Sequence, residues 1–264
     1  MSAGTVIAAP DRDALSARVE EACLNAWPAL QEVHYDGWLL RLADGKTRRT
    51  NSVNAIAAGR RPLAEKIPYC EAFYTRHGLR PYFRILSDAR DGLDEELAQR
   101  GYEAEDVTDT LYADFAQAPP LGVSGGVELH EMVPTDEWIG ARLELSGADG
   151  STKIRLEKVL QALALPAVFA AMRGADGRID AVAKGAIHDR IACINLVVTR
   201  PSARRQGLSE ACVQSILAWA ARRGAAGACL QVLASNTPAL RLYRKLGFAS
   251  RLYSYHYRCA AAGE

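Results

Sequence analysis

Leu196 to Glu210 reads LVVTRPSARRQGLSE: an apolar strand-like run enters Pro201, passes Arg204 and Arg205, and reaches Gly207 at the start of an amphipathic helix. A strand-loop-helix junction exposes backbone N–H groups that no helix carbonyl satisfies, at the positive end of the helix dipole. Gly207 has no Cβ, so the main chain there can approach a ligand closely. Arg200, Arg204 and Arg205 add positive charge that only Glu210 opposes nearby, which suits a diphosphate better than a single carboxylate. A solvated basic turn is the alternative that spacing alone leaves open.

Upstream of this junction, AVFAAMR, IDAVAKGAI and IACINLVV are joined by Gly174-Ala-Asp-Gly177 and His188-Asp-Arg190, which predicts an antiparallel meander. Downstream, the helix GLSEACVQSILAWAARRGA, the strand ACLQVLA, the helix TPALRLYRKLG and the strand SRLYSYHYRC follow. Helical stretches from Asp136 to Leu145 and from Ser151 to Leu163 precede the meander, the second closing before Pro166. The fold class is therefore α/β, a mixed sheet with a parallel crossover at its centre. In the first half, a helix is expected over Ala14 to Ala29 and a hairpin around Asp44-Gly45 within residues 35–56. A helix from Pro62 to His77 ending at Gly78, the strand LRPYFRIL, the short helix DGLDEELAQRG and the strand YEAEDVTDTLYADF complete it. The composition breaks at APPLGVSGG, so the expected domains are residues 1–118 and 127–264, with a linker over 119–126.

The chain has 264 residues, 49% hydrophobic and 24% charged, with 32 Lys+Arg against 31 Asp+Glu, a balance that excludes a polycation made to coat nucleic acid or an anionic membrane. No stretch stays apolar for the ~18–20 residues of a membrane span, and MSAGTVIAAPDRDAL lacks the pattern of a signal peptide, so a cytoplasmic protein is expected. The six cysteines are scattered, without a CxxC pair or a His at ligand spacing, so neither a disulfide nor a metal site is expected. Cys193 reads as a buried strand thiol, with an acyl-carrying nucleophile as the alternative.

TRPSARRQGLS resembles the coenzyme-A signature [Q/R]-x-x-G-x-[G/A] of the GCN5-related N-acetyltransferases (GNAT), with Arg204 in the first position, Gly207 as the glycine and Ser209 departing from the last. NTPALRLYRKLGF resembles that family's second hallmark, N-x-x-A-x-x-L-Y-x-x-x-G-F, through Asn236, Ala239, Leu242, Tyr243, Gly247 and Phe248. The resemblance implies that acetyl-CoA is the cosubstrate, its pantetheine arm along the main chain of Leu196, Val197 and Val198 between two parting strands. It places the diphosphate on the N–H groups of Arg205, Gln206, Gly207, Leu208 and Ser209, beside Arg204. Asn236 is expected to contact the cofactor or to orient its loop, a purely structural role being the alternative. A neutral amine would attack the thioester directly, with Tyr243 giving a proton to the departing thiolate. No metal takes part.

Many relatives carry a Glu on the strand before the phosphate loop, where this chain offers only Cys193 and Asn195. Asn195 can position a water but cannot accept a proton as a base, so either a water relay to bulk solvent or a group from elsewhere is expected, with Glu157, Asp180, Asp189 and His256 as candidates. In the first half AFYTRHGL, Ala72 to Leu79, resembles the second hallmark in its spacing from Tyr74 to Gly78, and GRRPLAEK is basic but carries Pro62 where a phosphate loop needs N–H groups. Residues 1–118 therefore read as a degenerate GNAT-like half, or as an unrelated α+β domain. Within TRRTNSVN, Arg48, Arg49 and Asn51 are candidates for holding a carboxylate or carbonyl of the acceptor, a solvated loop being the alternative. The expected partner is a small-molecule or peptide amine, not nucleic acid or membrane, with a homodimer left open. A coenzyme-A-binding regulatory module that has lost its chemistry is the rival reading.

Overall fold

The computed structural model describes residues 9–260 apart from positions 44, 46, 90, 121 and 149. In chain order the elements are α1 (Ala9–Ala26), β1 (Gln31–Tyr35), β2 (Trp38–Leu42), β3 (Val53–Ala55), α2 (Leu63–Arg76), β4 (Tyr82–Leu86), α3 (Leu93–Gln99), β5 (Tyr102–Asp114) and β6 (Val127–Glu131). There follow α4 (Asp136–Ser146), α5 (Gly150–Gln161), β7 (Ala167–Arg173), β8 (Ile179–His188), β9 (Ile191–Thr199), α6 (Leu208–Arg222), β10 (Gly227–Leu233), α7 (Thr237–Lys245) and β11 (Ser250–Ala260). No helix among the described residues is long and apolar enough to cross a membrane.

Contacts group the chain into two units that interleave in sequence. The first takes the residues up to Trp27 with Thr110–Val232 and Asn236–Leu252; the second takes Pro28–Asp109, Leu233–Ser235 and the residues from Tyr253. The described residues between Ala118 and Gly126 form a loop or turn, as their Pro and Gly content requires, but the partition by contacts does not fall there. Instead α1 buries Val19, Ala22, Cys23 and Ala26, a helical stripe, and packs on β8 and β9. Conversely β11 pairs antiparallel with β4 from Tyr255↔Leu86 to Cys259↔Tyr82.

In the first unit β6, β7, β8 and β9 run antiparallel in turn, and β10 lies parallel to β9 after the crossover helix α6. Cys212, Val213, Ile216 and Trp219 of α6 pack in one core with Val168, Ala170, Ala183, Ala192 and Ile194. Because strand side chains alternate, Cys193 and Asn195 face away from α6.

In the second unit β1, β2 and β3 are antiparallel, β4 is parallel to β3, and Trp38, Leu40, Val53, Ile67, Phe73 and Phe83 share the core. The β1–β2 hairpin turns on Asp36-Gly37, with φ of 45° and 80° and Tyr35 opposite Trp38, the two-residue turn that Asp-Gly favours. Asp44, in the expected hairpin, lies outside the described residues, although the flanking β2 and β3 do pair antiparallel.

The element order repeats: β1-β2-β3-α2-β4-α3-β5 matches β7-β8-β9-α6-β10-α7-β11. This pairs α3 with α7, where Leu97 stands four residues before Gly101-Tyr102 as Tyr243 stands before Gly247-Phe248. The expected likeness of AFYTRHGL to the second hallmark is thereby corrected. Tyr74 belongs to α2, the counterpart of α6, and its buried hydroxyl accepts from Arg41 N (3.1 Å) and donates to Arg41 O (2.9 Å).

Candidate active site

Strand β9 pairs with β10 only from Ile191↔Gly227 to Ile194↔Leu230, so its last residues part from that neighbour. On its other edge the register shifts: Lys184 faces Asn195 and Val182 faces Val198, leaving Leu196 and Val197 opposite one residue of β8. This is a β-bulge, and within it Leu196 takes a left-handed φ of 55°. Main-chain groups of Leu196, Val197 and Val198 thus line the gap beyond the last β9–β10 pair.

The loop continues through a 3-10 turn at Pro201–Ala203, then Arg205 at φ 64° and Gly207 at φ 81°, the cap of α6. A Cβ on Gly207 would meet nothing within 4 Å, so the backbone conformation, not crowding, calls for glycine there. The first intrahelical bond is Ala211 N to Gly207 O at 2.9 Å, which leaves the N–H groups of Leu208, Ser209 and Glu210 without helix carbonyls. Ser209 contacts the Thr199 hydroxyl, tying the helix start to the end of β9. Arg200 is spent on Asp180 (2.5 Å) and Glu144 (2.7 Å), so it does not add free charge to the loop. Arg204, Arg205 and Gln206 are exposed, and neither arginine has an ion pair among the described residues.

Asn236 caps α7, accepting from Ala239 N at 3.2 Å. Tyr243 is buried against Phe248, ring centroids 6.0 Å apart, and its hydroxyl makes no hydrogen bond among the described residues. Burial pushes its phenol up to about 12. Asn195 is also buried, and neither its Oδ1 nor its Nδ2 has a hydrogen-bond partner among the described residues.

All four candidate bases are engaged: Glu157 with Lys153 (3.7 Å), Asp180 with Arg200, Asp189 with Arg18 (2.7 Å) and His256 with Asp94 (2.9 Å). In the second unit Arg48 pairs with Glu105 (2.6 Å) and Asp106 and lies 5.0 Å from the Tyr257 ring centroid. Asn51 accepts from Ala43 N (2.9 Å) and donates to Gly45 O and Thr47 O, and Arg49 O accepts from the Arg41 guanidinium. Arg48 and Asn51 therefore hold their own loop.

The start of α2 offers a contrast that sequence reading missed. There the Asp36 carboxylate accepts from Arg60 N (2.9 Å) and Arg61 N (2.9 Å), which hold it below the usual carboxylate range. A Cβ on Gly59 would collide with that carboxylate. Where α6 leaves donors open, the loop before α2 has filled them from within.

A family model described as the probable histone acetyltransferase Rv0428c C-terminal region matches residues 16–260. The chain belongs to this family and is an N-acetyltransferase of the GNAT type. It is 26% identical over 243 residues, 91% of this chain and 97% of the relative, to the uncharacterized N-acetyltransferase YobR of Bacillus subtilis (strain 168). Among solved structures it is similar to a GCN5-related N-acetyltransferase from Kribbella flavida, with a TM-score of 0.67 and 19% identity over 94% of this chain and 96% of that one. A tandem GNAT protein from the clavulanic acid biosynthesis pathway aligns with a TM-score of 0.64 and 14% identity, over 81% of this chain and 76% of its own. These two likenesses concern the fold.

Proposed function

We propose that the protein transfers an acetyl group from acetyl-CoA to a primary amine of a small metabolite or peptide by direct attack. The observation that carries this reading is the parting of β9 from β10 beyond Ile194 and Leu230, beside the open start of α6. Acetyl-CoA, when bound, supplies the thioester that the amine attacks. The main chain of Leu196, Val197 and Val198 holds the pantetheine arm as an added strand would be held. N–H groups from Arg205 to Ser209 hold the diphosphate, with charge from Arg204 and Arg205. Asn236 shapes this end of the site by capping α7.

Tyr243 holds at Oη the proton that the departing sulfur takes. Asn195 orients a water that leads the amine proton to solvent, because an amide cannot take the proton itself. Arg48 and Asn51 receive no acceptor role. The repeated element order supports reading the second unit as a degenerate GNAT copy, in which Asp36 fills the phosphate position and Leu97 stands where Tyr243 would.

The test is release of free coenzyme A and appearance of acetylated product across a panel of amines. Turnover with at least one amine is expected, with kcat falling roughly 10²-fold in Tyr243→Phe while KM for acetyl-CoA holds. Binding without turnover for every amine would overturn the proposal in favour of a coenzyme-A-binding regulatory module. The engagement of every candidate base in an ion pair favours that second reading.

A further inference from the structure

Cysteines far apart in sequence meet in the first unit. Cys23 of α1 lies 3.7 Å from Cys229 of β10 and 3.9 Å from Cys193 of β9, sulfur to sulfur, and all three sulfurs are within 4.8 Å of one another. Cys193 and Cys229 are direct register partners on parallel strands, so the pairing of β9 with β10 sets two of the thiols side by side. All three are buried.

We propose that Cys23, Cys193 and Cys229 form a binding site for a soft three-coordinate metal ion, Cu(I). Metal–thiolate bonds of about 2.3 Å in a trigonal plane put the sulfurs about 4.0 Å apart, so an ion seated among these three needs only small sulfur movements. No imidazole or carboxylate joins the set among the described residues, and an all-sulfur set selects soft ions. Zinc takes four ligands, so here it would need one from outside the three cysteines.

Contacts with the neighbouring sulfurs, then burial, raise Cys229, and the Cys193 contact leads the causes that raise Cys23. Binding is an exchange without redox change, in which one Cu(I) displaces three protons and leaves a trithiolate of charge 2−. One basic side chain lies on the same face of the sheet. Lys184, opposite Asn195 and so on the side of Cys193, donates from Nζ to Ala26 O at 2.6 Å, one turn beyond Cys23 on α1.

The test uses the full chain, reduced, titrated with Cu(I) alone against a chromophoric Cu(I) chelator. One equivalent is expected to leave the chelator, with X-ray absorption reading three sulfurs around copper and affinity rising up to 10³-fold per pH unit as three protons depart. Cys23→Ser, Cys193→Ser and Cys229→Ser should each weaken binding at least about 100-fold, whereas Cys70→Ser and Cys259→Ser, outside the cluster, should not. No withdrawal of copper would overturn the site, as would nitrogen or oxygen ligation in the wild-type spectrum or binding that survives all three cluster substitutions. Four-coordinate Zn(II) held in preference to Cu(I) would overturn its geometry. The absorption spectrum of the unaltered protein decides the matter even if a substituted chain fails to fold.

Discussion

In the proposed mechanism Tyr243 links catalysis to stability through one proton. With its phenol at about 12, it stays protonated across the working range, so the kcat profile should show no tyrosine limb below about pH 11. The unfolded chain releases the same proton near pH 10. Stability from this group is therefore complete below pH 10 and is lost as pH rises toward 12. Unfolding midpoints measured from pH 8 to 11 should fall, and Tyr243→Phe should flatten part of that fall. Asn195 supplies the complementary case, a buried amide with both polar atoms unpaired among the described residues. Asn195→Leu should raise the thermal midpoint by recovering part of a desolvation penalty of ~1–3 kcal/mol while lowering turnover. Lost turnover with gained stability marks a positioning residue, whereas loss of both would mark a structural one.

Helix starts separate the two units. At α6 the donors, the glycine and the arginines come from one contiguous stretch, and the proposed proton donor comes from a second, which is why the candidate site was legible in the sequence. At α2 the decisive group is Asp36, which reaches Arg60 and Arg61 across a hairpin; sequence reading saw only Pro62, because spacing does not reveal which carboxylate folds back onto a helix start. The same limit hid the Arg200 pairing with Asp180 and Glu144, partners on other elements. Ser209→Asp would place a carboxylate in the first turn of α6. It should raise KM for acetyl-CoA at least about 10-fold by opposing the diphosphate, yet leave the helix as stable or steadier by ~0.3–1 kcal/mol, since an acid suits the first turn. Kinetics and a thermal melt on the same sample check both halves. Because its donors hold Asp36 below the usual carboxylate range, the stability it contributes is present above about pH 4 and lost as pH falls.

Across the whole molecule, the meander, the parallel crossover and the order of the helices followed from periodicity and turn residues. The partition into units did not, because Pro and Gly mark where a chain bends and say nothing about which distant face a helix or strand will cover. Nothing in the composition of α1 tells it to seek β8 and β9, nor β11 to seek β4. Residues 1–118 produced alone should consequently show no cooperative thermal transition, as followed by circular dichroism; a sharp two-state melt would contradict the interleaved units. The pairing of β4 with β11 also sets a timetable. Arg80 and Ala260, hydrogen-bonded in the finished protein, are 180 residues apart, so a ribosome adding about 5–20 residues per second leaves β4 waiting roughly 10–40 s for its neighbour. Through that interval the nascent chain carries an open strand edge, the kind that recruits other chains, and its yield in a cell depends on what shields that edge until the last strand emerges.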